Sequence, residues 1–189
     1  MQADSDNRVV GRHCVSATAV PVTAGADSQS RPTRLRRRSR RLDVIFGSTR
    51  PLFFLTICTA NRARFLDNPA THEQFVAFCE RSPELAQVWV GRYVLMPDHI
   101  HVFVSSDDAV ALSRWTGSLK KFLAAHWRAQ GKTAPFWQEG FFDHVLRSGE
   151  SYDGKWEYVR QNPLRAGLLK APEEWPFAGE IHSLPWEGD

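Results

Sequence analysis

The sequence lacks a hydrophobic run long enough to cross a membrane. A spanning helix needs about 18 or more consecutive apolar residues, and no stretch of the 189 residues approaches that length. The N-terminal segment is polar, with Asp4 and Asp6, and no apolar segment follows a basic start. It therefore does not resemble a signal peptide. We expect no membrane partner.

Cysteine is also scarce. The three cysteines, Cys14, Cys58 and Cys79, form no CxxC pair and no even-numbered disulfide framework. Disulfides are rare in reducing compartments, so this usage indicates a cytoplasmic location. Hydrophobic residues make up 42% of the chain, which is enough to bury one ordinary core.

Positive charge is unevenly distributed along the chain. Residues 1–47 contain nine Arg against four Asp, a net charge of +5, and the whole chain carries +3, so residues 48–189 carry −2. Seven of the eleven residues 31–41 are Arg. We predict that 1–47 is a disordered tail whose arginines are either simply solvated or attracted to phosphates. The folded domain is predicted at 48–179, followed by a short tail at 180–189.

Hydrophobic periodicity in the domain predicts a mixture of strands and helices. In chain order, the predicted segments are strand 51–60, helix 68–82, strand 86–97, strand 99–106, helix 110–132, a strand within 136–148 and helix 150–161. The order β-α-β-β-α-β-α predicts an α+β fold, a ferredoxin-like βαββαβ sandwich with an antiparallel sheet, helices on one face and an added C-terminal helix. The other face of the sheet is then free for a ligand.

Two histidines lie two residues apart in the predicted strand HIHVFV. Successive side chains of a strand point to opposite faces, so Ile100, Val102 and Val104 should face the helices. His99 and His101 should then face away from the helices together. Two imidazoles on one face suit a pair of metal ligands. The alternative is a pair of half-exposed histidines without a ligand.

The last predicted helix carries Tyr158 and Asn162, four residues apart. Helical residues with this spacing share a face, so a phenol and an amide would be presented together to the histidines. A phenolate can attack phosphorus and form a covalent phosphotyrosine, and a metal can polarise the phosphate and hold it in line. The alternative for Tyr158 is an ordinary aromatic side chain packed against the sheet.

The long predicted helix has a basic face without compensating acids. No Asp or Glu occurs between Ala109 and Pro135. At about 100° per residue, four cationic side chains form a narrow stripe that either is solvated or contacts phosphates. The stripe consists of Arg114, Lys121, Arg128 and Lys132. Aromatic residues that follow the helix either stack on unpaired bases or belong to the core. These are Trp137, Phe141 and Phe142.

Three longer motifs carry a family resemblance. They are MPDHIHVF (96–103), FWQEGFFDHVLRS (136–148) and YVRQNPLRAGLL (158–169). In this order and at this spacing they resemble the REP-associated tyrosine transposases, which belong to the HUH single-tyrosine transposases of bacterial insertion sequences. The resemblance extends from the first predicted strand to EEWPFAG (173–179) and does not include the Arg-rich tail.

The resemblance implies a site and a reaction. His99 and His101 would bind Mg²⁺ or Mn²⁺ with Asn162 as a further ligand, and Tyr158 would be the catalytic nucleophile. The substrate would be single-stranded DNA near a short palindromic hairpin. Cleavage would leave a 5′-phosphotyrosine and a 3′-OH. Relatives act as monomers or homodimers, and the location would be the bacterial cytoplasm at the nucleoid.

Two other functions fit the same residues. A domesticated protein of this fold would bind hairpin DNA without cutting it. A metal-dependent hydrolase would combine the two histidines with Asp98 or Asp143 and activate water, with no protein–DNA adduct. In the second motif, Arg147 is expected to contact DNA. For Asp143, His144 and Arg147, one alternative is positioning of DNA or support of the site, and the equal alternative is a structural role.

Overall fold

The computed structural model describes residues 50–146 and 152–184. The strands there form one antiparallel sheet in the order β4-β1-β3-β2-β5. They are β1 (Leu52–Cys58), β2 (Trp89–Met96), β3 (His99–Ser105), β4 (Phe142–Val145) and β5 (Ala178–Glu180). The predictions on the tail 1–47 and on Arg147 lie outside the described residues.

In the described part of the chain, five helices and two 3-10 turns accompany the strands. The helices are α1 (Pro69–Glu80), α2 (Ser82–Ala86), α3 (Ala109–Ala129), α4 (Tyr152–Arg160) and α5 (Asn162–Arg165), and the turns are Ala60–Arg62 and Pro172–Glu174. The succession β1-α1-β2-β3-α3-β4 gives the ferredoxin-like strand order, so the predicted α+β fold is confirmed. The short helix α2 and the edge strand β5 were not predicted.

The two long helices begin at polar capping residues. The Asn68 side chain accepts a hydrogen bond from the Thr71 amide at 2.9 Å, and Pro69 follows as the first helical residue. The Asp108 side chain accepts one from the Val110 amide at 2.8 Å at the start of α3. These caps fix where each helix leaves the sheet.

One face of the sheet packs against α1 and α3. Ile100, Val102 and Val104 are fully buried there, beside Phe75 of α1 and Trp115 of α3. The alternation predicted for β3 is therefore confirmed. Burial of apolar surface, at about 25 cal/mol per Å², stabilises the packing of these helices on the sheet.

The sequence indicated that the opposite face of the sheet is free. This prediction is wrong, because α4 covers part of that face. Tyr152 and Val159 of α4 are buried in a second apolar cluster with Val94 and Phe103. The rings of Phe103 and Tyr152 meet edge to face with centroids 4.9 Å apart. Tyr152, Trp156 and Val159 are spaced four and three apart, which gives α4 an apolar side for the sheet.

Gly91 lets α4 approach β2 closely. The pairing of β2 with β3 is irregular between Val90 and Tyr93. A Cβ atom at Gly91 would lie 2.6 Å from Leu184 Cδ1 and 2.8 Å from the Tyr152 hydroxyl. The bulge also turns the Arg92 amide to donate a hydrogen bond to that hydroxyl at 3.2 Å.

Within residues 50–146 and 152–184, no helix combines the length and the hydrophobicity that crossing a membrane requires.

Candidate functional site

His99 and His101 lie together at the beginning of β3. Their Nε2 atoms are 3.0 Å apart, and the rings meet nearly edge to face. Each histidine is 8% exposed. The alternation of β3 thus brings the two predicted ligands together on the face that α4 partly covers.

A carboxylate orients His99. Asp98 Oδ1 lies 2.6 Å from His99 Nδ1, and Arg62 Nε lies 2.8 Å from Asp98 Oδ2. Burial would raise the pKa of Asp98, but the hydrogen bond to His99 and the charges of His99 and Arg62 lower it overall. Because an ionised carboxylate only accepts hydrogen bonds, Nδ1 of His99 carries the proton. The other ring nitrogen of His99, Nε2, faces His101.

His101 is oriented by a hydroxyl and held neutral. Thr56 Oγ1, its neighbour across β1, lies 3.0 Å from His101 Nδ1. The Phe54 ring stacks on the imidazole at a centroid distance of 5.3 Å. Burial, with smaller effects of the positive charges of His99, Arg62 and Lys155, lowers the pKa of His101 well below its ordinary value. A neutral imidazole keeps a lone pair for a ligand.

The donor set fits a divalent cation. Both Nδ1 atoms have hydrogen-bond partners, and both Nε2 atoms point to one place. Two ligand atoms at about 2.1 Å from one ion on perpendicular axes are about 3.0 Å apart. Among the described residues, no group of three or more His, Cys, Asp and Glu surrounds a common point. Further ligands would have to be amide, water or phosphate oxygens.

Tyr158 differs from the other two tyrosines of the chain. Tyr93 and Tyr152 are each 4% exposed, and Tyr158 is 55% exposed. Burial is the main cause that raises the pKa of both Tyr93 and Tyr152 to about 12. The Arg165 guanidinium lies 4.1 Å from the Tyr158 ring centroid and donates a hydrogen bond to the Tyr158 carbonyl at 3.1 Å. Among the described residues, the Tyr158 hydroxyl has no hydrogen-bond partner.

Asn162 lies just beyond the tyrosine helix. The sequence predicted Tyr158 and Asn162 on one helix, but α4 ends at Arg160 and Asn162 is the first residue of α5. Pro163 lies in the first turn of the new helix, where the backbone N–H that proline lacks would have no partner within the helix. In the part of the chain that the structure describes, the Asn162 side chain makes no hydrogen bond. The side chain is partly exposed.

The basic stripe lies on the other side of the sheet from the histidines. Its four residues are exposed on α3 and just beyond it, and α3 packs on the opposite face. Arg128 lies 5.5 Å from the Phe136 ring centroid and Lys132 lies 6.0 Å from that of Phe65. The Phe65 amide donates a hydrogen bond to the carbonyl of Pro97, which lies in the turn before His99. Arg128 and Lys132 are therefore at the histidine end of the sheet. Arg114 is at the other end.

Strand register places the residues of the second motif. Thr56 is paired with His101 on one side and with Phe142 on the other, and paired residues share a face. Phe142 therefore lies on the histidine face, and it is 68% exposed. Asp143 is paired with Leu55, so its carboxylate is on the helix-layer face. Trp137 and Phe141 are partly buried against the helix-layer core.

Two site residues were missed in the sequence. Arg62 reaches Asp98 and lies 3.4 Å from His99 Nδ1, but it does so from a left-handed turn that no pattern shows. Lys155 Nζ lies 5.3 Å from the centroid of Phe54, the ring that stacks on His101. Lys155 is three residues before Tyr158, so helical spacing could have indicated it.

The structure thus combines a ferredoxin-like sheet, two histidines side by side on one strand, and an exposed tyrosine on a helix over the same face. A sequence model of the family described as "Transposase IS200 like" matches residues 53–162. The chain therefore belongs to the IS200-like transposase family.

Individual relatives agree with this family. The REP-associated tyrosine transposase of Escherichia coli K12 is 27% identical over 110 residues, which cover 53% of this chain and 63% of that protein. The chain thus matches less than two thirds of that relative. A relative from Haemophilus influenzae is 24% identical, with 73% of this chain and 88% of the relative covered. The resemblance predicted from the sequence is confirmed.

A solved structure shares the fold. It is described as a REP-associated tyrosine transposase bound to a REP hairpin. Its TM-score is 0.53 at 21% identity, and the match covers 69% of this chain and 76% of the other.

Proposed function

We propose that this protein cleaves and rejoins single-stranded DNA beside a hairpin, with Tyr158 as the nucleophile. The observation that carries the proposal is the exposure of Tyr158, at 55%, on the helix that lies over the histidine face, while Tyr93 and Tyr152 are buried. A nucleophile must reach an external phosphorus, and a buried phenol cannot do so.

The reaction exchanges one phosphodiester bond for another. The Tyr158 oxygen loses its proton and attacks the phosphorus, and the bond from phosphorus to the 3′ oxygen breaks. The 3′ oxygen gains a proton and leaves as a 3′-OH, and the 5′ phosphate stays on the tyrosine. Attack by a 3′-OH on this phosphotyrosine reverses the exchange and rejoins a strand without any external energy source.

His99 and His101 would hold a divalent cation, Mg²⁺ or Mn²⁺, through Nε2, with Asn162 as a candidate third ligand. Such an ion supplies Lewis-acid polarisation of the scissile phosphate and a template for in-line attack. Asp98 and Thr56 keep the two imidazoles in place for this task.

Positive side chains of the protein supply further charge for the phosphate. Arg62 lies 3.4 Å from His99, and Lys155 lies over the ring that stacks on His101. Both can stabilise the negative charge that builds up on the phosphate oxygens during attack.

The proposed DNA substrate has a hairpin and an unpaired flank. The hairpin is inferred from the relatives, because one of the same fold was solved with a REP hairpin. The unpaired flank is inferred from Phe142, which is 68% exposed on the histidine face. An exposed aromatic ring can stack on an unpaired base.

The test follows the DNA end that the tyrosine would retain. Purified full-length protein is mixed with hairpin oligonucleotides labelled at the 3′ end, with Mg²⁺, with Mn²⁺ or with a chelator, and is resolved under denaturing conditions. We expect the label at protein mass in the wild type with either metal. We expect no such label with Tyr158→Phe or with His99→Ala.

Tyr152→Phe is the matched control, because it removes a buried hydroxyl from the same helix. It should retain the adduct. Cleavage without any adduct would favour the water-activating hydrolase and would overturn the proposal. Hairpin binding without cleavage, on all oligonucleotides tried, would favour the domesticated binding protein.

A further inference from the structure

A cavity of about 360 Å³ opens beside the histidine site. Its lining residues come from two segments, the turn after β1 and the segment before β4. They are Thr59, Ala60, Asn61, Arg62, Pro135, Trp137 and Gln138. Pockets that take small ligands begin at about 300 Å³. Apart from Arg62, whose guanidinium is paired with Asp98, the lining is uncharged, so it favours a ligand without charge of its own.

The aromatic wall of the cavity is held in place. The indole of Trp137 donates a hydrogen bond to the Lys120 carbonyl at 2.9 Å. Its ring also packs against Trp127 with centroids 5.1 Å apart. Lys120 Nζ donates to the Gln138 carbonyl at 2.8 Å, which ties the neighbouring residue to α3. A partly exposed ring that is fixed in this way is a preformed stacking surface.

The facing wall has an unusual backbone. Asn61 and Arg62 have φ values of 52° and 55°, the left-handed region that side chains other than glycine rarely adopt. Hydrogen bonds from Thr59 and Ala60 to the Asp98 and Phe136 carbonyls, at 3.0 Å and 2.9 Å, hold the ends of this turn. Two consecutive strained residues at the rim of a cavity indicate a functional constraint.

Arg62 joins the cavity to the histidine site. It lines the cavity, and its guanidinium forms an ion pair with Asp98 and lies 3.4 Å from His99 Nδ1. A phosphate at the histidines would therefore lie one side chain away from a ligand in the cavity.

We propose that this cavity binds an unpaired nucleobase next to the phosphate that is cut. The base would stack on Trp137, and the side-chain amides of Asn61 and Gln138 would read its edge. Among the described residues, neither amide has a hydrogen-bond partner, and an amide offers both a donor and an acceptor to a base. The inference rests on the proposed function, since it places the base in the strand on which Tyr158 acts.

The test measures binding without cleavage. Tyr158→Phe protein is titrated with hairpin oligonucleotides in a chelator, and a single abasic site is moved through the unpaired flank. Loss of one stacked base should weaken binding about 5- to 150-fold. We expect this loss at one flank position. In Trp137→Leu, binding of the intact strand should be weakened to a similar extent, and the abasic site at that position should add nothing.

Two further variants test the cavity without depending on the folding of Trp137→Leu. Asn61→Gly keeps the left-handed backbone and removes the amide, and Gln138→Ala removes an exposed amide. Each should reduce the preference among the four bases at the same flank position. Gln130→Ala, an exposed amide at the end of α3, is the control and should leave the preference unchanged.

Three results of the abasic scan would overturn the inference. They are equal binding of every abasic strand, an abasic effect that persists in all cavity variants, and an effect that only Phe142→Ala removes. Absence of any oligonucleotide binding would also overturn it. Failure of the proposed cleavage looks different, because it shows as a missing adduct while the abasic scan remains readable.

Discussion

The histidine pair lies inside the protein and Tyr158 lies on its surface, although both belong to the candidate site. Each histidine is 8% exposed, and Tyr158 is 55% exposed. Every Nδ1 atom of the pair has a hydrogen-bond partner, whereas the tyrosine hydroxyl has none among the described residues. The histidines are fixed by β3 and its neighbours, and the tyrosine is carried by one short helix.

This difference matches the two tasks that we propose. A cation site works best when its ligands are preorganised, because no reorganisation is then needed during the reaction. A nucleophile that retains one DNA end must leave room for another strand to enter. We call the histidine pair with Asp98 and Thr56 the histidine half of the site, and Tyr158 with its helix α4 the tyrosine half. We expect changes in the histidine half to alter metal binding, and changes in the tyrosine half to alter cleavage alone.

The largest effect is expected in a mixing experiment, in which one protein supplies intact histidines and the other supplies an intact tyrosine. Tyr158→Phe and His99→Ala proteins, each inactive, are mixed with 3′-labelled hairpin DNA. Tyr152 and Arg92 fasten α4 to the sheet of its own chain, so we expect the tyrosine to act on its own histidines. The mixture should stay at least about 1,000-fold below the wild type in adduct formation. Restored adduct would instead mean that two chains exchange their tyrosine helices.

A second prediction concerns the hydroxyl behind His101. Thr56→Val removes the partner of Nδ1, so we expect Mn²⁺ affinity, measured by isothermal titration calorimetry, to fall about 10- to 100-fold. Thr56→Ser retains the hydroxyl and should stay near the wild-type affinity. Tyr158→Phe should bind Mn²⁺ as the wild type does. An unchanged affinity in Thr56→Val would show that the hydroxyl does not orient a ligand.

The histidine half could be predicted from the sequence, and much of the tyrosine half could not. The shared orientation of the two histidines follows from the alternation of side chains along HIHVFV, provided that one face of the strand is buried. Ile100 and Val102 are buried in the core on that face. The cover over the opposite face depends on Gly91 and on Leu184, which are far apart in sequence and meet in the fold. Local periodicity cannot show such a contact.

Two smaller misses have local causes. Asn162 was placed on the tyrosine helix because a spacing of four fits a helix, but that helix ends at Arg160 and a new one begins at Asn162. Arg62 itself has a positive φ value in the turn that brings it to the site, and sequence patterns assign that conformation to glycine or asparagine rather than to arginine. The strand β5 has only three residues, too few for an alternation to be visible.

A third prediction concerns a substitution on β2 that should loosen the packing of α4 without changing a residue of the histidine pair or Tyr158. Gly91→Val would place side-chain atoms on Leu184 and on the Tyr152 hydroxyl. Overpacking of this kind costs about 1–3 kcal/mol, seen as a lower melting temperature. Adduct formation should fall several-fold while Mn²⁺ affinity changes little. Gly117→Ala is the control, because nothing lies within 4 Å of a Cβ there, and it should not lower stability. Equal loss of metal binding and cleavage in Gly91→Val would contradict the separation of the two halves.

The smallest expected effect tests whether the basic stripe belongs to the site at all. Arg114 and Arg128 are about 21 Å apart along α3 at 1.5 Å per residue, and only the far end of the stripe, with Arg128 and Lys132, lies near the turn before His99. DNA held at the histidines can reach that end more easily. We expect Lys132→Ala to weaken hairpin binding a few-fold and to lower its salt dependence, because a phosphate contact releases bound counterions.

Arg114→Ala provides the matched comparison in the same basic stripe and should change affinity less than about twofold at physiological salt. Equal effects of Lys132→Ala and Arg114→Ala would mean that DNA runs along the whole helix layer, on the side of the sheet away from the histidines. No effect of either would leave the stripe as a solvated face. Binding measured at two salt concentrations separates these outcomes, since only a true phosphate contact changes the slope with salt.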